Sequence, residues 1–133
     1  MGCIAPLAET RMRLASTVTL INVLVATGFS IIGLVRPDLI VPTGTMASGA
    51  SAIFAMYAAA RAIPLAVAVV LAVLSRSPVA LLILGTLAGT VQGLDAMIGI
   101  IHHDAGKTIG PLILAVAQGY AMLVLRKRIR SAP

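Results

Sequence analysis

Two ionisable residues of opposite sign, Arg61 and Asp95, stand inside apolar runs where a charge is expensive. A desolvated carboxylate has a tuned proton affinity, and a guanidinium can hold developing negative charge. The pair therefore suits acid–base work on an apolar substrate (isomerisation, cyclisation or epoxide opening), or the orientation of a small lipophilic ligand. Polar residues at helical spacing surround it. Gln92, Asp95, Gly99 and His102 step by three, four and three, which is one stripe of a helix. Tyr57 lies four residues before Arg61, on the same face, and Asn22 and Gln118 are the other strongly polar residues within apolar runs. The expected site is a pocket bordered by Asn22, Tyr57, Arg61, Gln92, Asp95 and His102. Asp95 and Arg61 are its catalytic candidates, and the other four are ligand-binding candidates. The same pair can instead hold two helices in register, or Arg61 can snorkel to a nearby boundary.

The elements that must position these residues follow from composition. Hydrophobic residues make up 59% of the 133 and charged residues only 11%, with a mean hydropathy of +1.07. A soluble fold of this size cannot hide that much apolar surface. Four runs, roughly 15–35, 52–74, 78–101 and 109–125, each approach or exceed the ~20 residues that cross a ~30 Å hydrocarbon core as a helix. They are too long, and alternate too little, for barrel strands. The expected fold is all-α, a four-transmembrane-helix bundle forming a single membrane domain over residues 1–133. Arg11 and Arg13 precede the first run as they would in a signal peptide. That run is longer than a typical signal core and lacks a convincing cleavage site, so it reads as a retained helix.

Charge sets the expected orientation. Arg11, Arg13, Arg76, Arg126, Lys127, Arg128 and Arg130 fall on the side of the two termini, and Arg36 and Lys107 on the other. The positive-inside rule then places both termini in the cytoplasm, as in a multi-pass protein of a bacterial inner membrane. The net charge of +6 is mostly this asymmetry, so the expected partner is the lipid bilayer and not a nucleic acid. A single cysteine, Cys3, excludes an intrachain disulfide. No cofactor motif is visible, and no metal site is expected, because His102, His103 and Asp104 are consecutive and diverge on a helix. Gly85, Gly89 and Gly93 form overlapping small-xxx-small motifs that admit a close helix neighbour, and a homo-oligomer through that face is one expectation. Arg36–Met46 reads as a loop packed on headgroups, and Pro64 should free a backbone carbonyl near Arg61.

Depth can be counted from the short turn at Ser75–Pro78. Arg61 lies 15 residues before Arg76 and Asp95 lies 19 after it, so on antiparallel helices the two differ in height by ~6 Å. The expectation is a pair in direct or one-water contact, facing the bundle interior and not lipid.

The stretch Tyr57–Leu65, with Arg61 in an alanine-rich context, and the Gly93, Asp95, Met97 region resemble small DoxX-like four-helix membrane proteins. The resemblance covers mainly Tyr57–Leu125 and rests on short motifs. It implies a compact four-helix bundle with Arg61 and Asp95 at matching positions. The first span lacks the arginine that better-known DoxX members carry there, so their redox partnership does not carry over.

Overall fold

The computed structural model describes residues 4–39 and 48–130. Among these, four α-helices carry the fold: α1 (Ile4–Val35), α2 (Gly49–Leu74), α3 (Pro78–Ile101) and α4 (Ala105–Arg130), with a 3-10 turn at Pro37–Leu39. All four are long and apolar enough to cross a membrane. The third span coincides with its helix, and the others extend beyond their apolar runs. Helical geometry continues through the polar and basic flanks, as it does from Leu125 to Arg130 in α4. α2 also continues through Pro64. Beyond the turn at Pro37–Leu39, the loop expected up to Met46 lies outside the described residues.

The two tight connections share one design. Arg76 and His103 adopt left-handed backbone, with φ of 50° and 53°, which costs an L-residue ~1–2 kcal/mol. Hydrogen bonds offset that cost. Arg76 N–H donates to Val73 O at 3.1 Å and Ser77 N–H to Ala72 O at 3.0 Å, closing a Schellman motif on α2. His103 N–H to Ile100 O and Asp104 N–H to Gly99 O, both 3.0 Å, repeat it on α3. The next residue caps the following helix. Ser77 Oγ accepts from Ala80 N–H at 3.4 Å, with Pro78 at the first helical position. Asp104 Oδ1 accepts from Lys107 N–H at 3.1 Å. That bond, with the Lys107 side chain, holds the Asp104 carboxyl below the usual carboxylate range. Each short connection thus ends one helix, starts the next and reverses the chain.

Packing is uneven along the bundle axis. At the end carrying the termini and the α2–α3 turn (the basic end), Ala15, Leu81, Ala121, Met122 and Leu125 form one core cluster. Val23, Val69 and Ala88 form a second, joining α1, α2 and α3. The largest fully buried side chains are Leu81, Leu125, Gln118, Val23, Val69, Asn22 and Thr19, all in the basic half or at mid-depth. Toward the far end the buried residues are small: Gly33, Ala55, Ala59, Ala96 and Gly99. Over its whole length α2 packs mainly on α1, and Thr27 Oγ1 donates to Ala62 O at 3.4 Å. α3 lies against α4, so close that a Cβ on Gly99 would stand 2.6 Å from the Lys107 carbonyl. Among the described residues, none larger than alanine is buried in the far half.

Two of the three glycines in the α3 stripe are spent inside the chain. A Cβ on Gly85 would lie 2.7 Å from Gln118 Nε2 and 2.5 Å from Met122 Sδ, and one on Gly89 3.0 Å from Gln118 Cγ. Gly93 has nothing within 4 Å. This corrects the expected oligomer face: α4 of the same chain already occupies Gly85 and Gly89, because the short Asp104 turn folds it back onto them.

Candidate functional site

The sequence-derived residues separate into two sets. The first is buried and fully hydrogen-bonded. Gln92 Nε2 donates to Asn22 Oδ1 at 2.9 Å, and Asn22 Nδ2 to Gln118 Oε1 at 3.2 Å. Gln118 Nε2 donates to Thr19 Oγ1 at 2.8 Å, and Thr19 Oγ1 to Ala15 O at 2.7 Å. The relay runs in one direction from α3 through α1 and α4 back to α1, and its side chains are at most 4% exposed. Among the described residues no buried side-chain nitrogen or oxygen lacks a partner. Such a network fixes helix rotation and register, because any slip orphans a polar group in a medium without water. Asn22 and Gln92 belong to it and not to a pocket with the charges. Thr19 went unnoticed in the sequence, although Ala15, Thr19 and Asn22 share one stripe of α1.

The second set is Arg61, Asp95, Tyr57 and His102, and all four are exposed on the isolated chain. Arg61 Nε donates to Tyr57 O at 3.1 Å, one turn toward the far end. Among the described residues no carboxylate lies within 4 Å of its guanidinium, and the Asp95 carboxylate accepts no hydrogen bond; ion pairs elsewhere join Arg13–Glu9, Arg36–Asp38 and Lys107–Asp104. The expected buried pair is thus corrected. α2 packs mainly on α1 and α3 mainly on α4, and both charges stand on exposed faces of their helices.

Their helical stripes explain the placement. Arg61, Leu65, Ala68 and Ala72 step along the side of α2 that nears α3 at the basic end, where Ala72 is buried and Leu65 packs on the Val23–Val69–Ala88 cluster. Leu84, Ala88, Val91 and Asp95 make the corresponding stripe on α3, with Leu84 on the same cluster. Both stripes leave the core as they rise. A shallow apolar depression of about 350 Å³ lies beside Arg61, lined by Ile53, Met56, Tyr57 and Ala60. Asn22, Gln92, Asp95 and His102 do not line it, so the enclosed pocket of six polar residues does not form there. His102 is the C-cap of α3. Among the described residues no group of three or more His, Cys, Asp or Glu side chains is arranged to hold a metal.

The fold defines the class: a multi-pass membrane protein built on four apolar helices. No family model, no curated protein and no solved structure matches the chain.

Proposed function

We propose that this protein carries a recognition site within the bilayer, formed by Arg61 and Asp95 in the far half between α2 and α3. Its occupant is a small lipophilic molecule with a polar group, or a membrane partner bearing complementary charge. One observation carries the proposal: two opposite charges inside spanning helices, both exposed and neither ion-paired. Arg61 is 12 residues from one end of α2 and 13 from the other. An arginine or aspartate at a helix centre costs ~2.5–3.5 kcal/mol on insertion scales, even after snorkelling and bilayer adjustment. Complementary polar contact would remove much of that cost. The buried Thr19–Asn22–Gln92–Gln118 network supplies the rigid support, holding α1, α3 and α4 in fixed rotation below the site.

A second reading is enzymatic, with Asp95 as acid or base and Arg61 as anion stabiliser. It is favoured by the carboxylate's having no hydrogen-bond partner among the described residues, which leaves it free to exchange a proton. Kinship with DoxX-like proteins belongs to the same proposal and rests on the residues around Arg61 and Asp95.

Native mass spectrometry of protein released from its own membranes tests the site. The wild-type chain should carry an added mass, small molecule or polypeptide, that Asp95→Asn and Arg61→Gln each diminish. A bare chain in all three samples, equally stable, would overturn the proposal. If a turnover is found, its abolition by Asp95→Asn selects the enzymatic reading over simple binding.

A further inference from the structure

We infer that the occupant of the Arg61–Asp95 site is a second copy of this chain, joined by two reciprocal Arg61–Asp95 pairs across a two-fold axis along the membrane normal. The inference rests on the recognition-site reading above and names its partner.

Symmetry makes a strict demand. Copies inserted in one orientation can be related by a two-fold axis only if it runs along the membrane normal, and that operation preserves depth. In such an isologous interface residue i meets residue j while j meets i. Arg61 can therefore meet Asp95 of the partner subunit only if the two groups lie at one depth. They do. Their Cα atoms, 15 and 19 residues from Arg76, differ by ~6 Å along the axis. The Arg61 side chain closes that gap by running toward the far end, as its hydrogen bond to Tyr57 O records.

Charge complementarity points to the same partner. Each chain offers one cation and one anion in this region, so two chains cancel them in pairs without any third component. An anionic amphiphile would satisfy Arg61 and leave Asp95 unmet, and a cationic one would do the reverse. The surroundings fit a helix-to-helix contact. Val91, Asp95, Ile98 and His102 form an exposed stripe of α3. Beside Arg61, small Ala60 and the depression it lines with Ile53, Met56 and Tyr57 leave room for an approaching helix. α4 already covers Gly85 and Gly89 of the glycine stripe, and the exposed charges of α2 and α3 mark the face where charge asks for a partner.

Two differently tagged chains, Arg61→Asp and Asp95→Arg, test this by mutual rescue. Alone, each places like charges opposite one another at both contacts, and recovery of its self-dimer after purification in mild detergent should fall at least about tenfold, the change that 1.4 kcal/mol represents. Co-expressed, the mixed pair restores opposite charges at both contacts, and tandem purification should recover it at the wild-type level. If either chain fails to accumulate alone, accumulation of the two together is the same supporting result. Pairing within one chain gives a different pattern: the chain carrying both swaps recovers, and the mixed pair does not. That pattern overturns the inference. A wild-type monomer holding a small molecule or an unrelated polypeptide lost on Asp95→Asn also overturns it, while the recognition site stands. A bare wild-type monomer sinks both.

Discussion

At the residue scale, Asn22 matters more to the isolated chain than either membrane charge. It both accepts from Gln92 and donates to Gln118, so Asn22→Ala orphans a buried donor and a buried acceptor. Leaving a buried partner unmet costs roughly 1–3 kcal/mol, and interhelical hydrogen bonds measured in membranes average ~0.6 kcal/mol. Thermal unfolding of the monomer in detergent should therefore show Asn22→Ala as clearly destabilising and Asp95→Asn as nearly neutral. The reverse ranking would mean that Asp95 is paired inside its own bundle. The polar character of Asn22, Gln92 and Gln118 was legible in the sequence, but their mutual contact was not. A polar residue in an apolar run announces that it needs a partner without saying which, and Asp95 was an equally suitable neighbour for Gln92 by stripe and depth.

At the scale of elements, the glycines of α3 differ although they share a helix. Gly99 faces backbone, with the Lys107 carbonyl and Thr108 nitrogen 2.6 and 2.7 Å from where a Cβ would stand, whereas Gly93 faces open space. Gly99→Ala must push α4 outward at its first turn, an overpacking that costs typically ~1–3 kcal/mol. Gly93→Ala meets nothing and gains about 0.8–1.0 kcal/mol of helix propensity. The two alanine variants should shift the unfolding midpoint in opposite directions, and equal shifts would mean that α3 and α4 are not joined this closely. The stripe's purpose, close approach of a helix, could be read from Gly85 and Gly89 in the sequence. Its partner could not, because a small-xxx-small stripe accepts a helix of the same chain as readily as one from another. The three-residue turn decided it.

At the scale of the whole molecule, the basic residues gather at one end of the bundle: Arg11 and Arg13 in α1, Arg76 between α2 and α3, and Arg126 to Arg130 closing α4. With Arg36 and Lys107 alone at the other end, we propose that both termini face the cytoplasm of a bacterial inner membrane. Reporter fusions after Pro133 and within Thr43–Ala47 should report opposite sides, the first cytoplasmic. A common side for both would refute the topology.

The helices themselves were determined by the sequence alone, and the physical reason is local. A segment in lipid must satisfy its own backbone hydrogen bonds, so an apolar run of about 20 residues is a helix whatever surrounds it. The third span, 78–101, could be placed to the residue because Ser77 and Pro78 start it and His102 caps its end. Which side of each helix turns inward was decided only by tertiary structure. Lipid is as apolar as a protein core, so hydrophobicity cannot mark an inward face, and rotation is set by close packing and polar contact between helices distant in sequence. Gln118 seated on Gly85 and Gly89, and Asn22 seated between Gln92 and Gln118, fix that rotation. The same rotation of α3 leaves Asp95 on the outside of the chain, and Arg61 is exposed on α2.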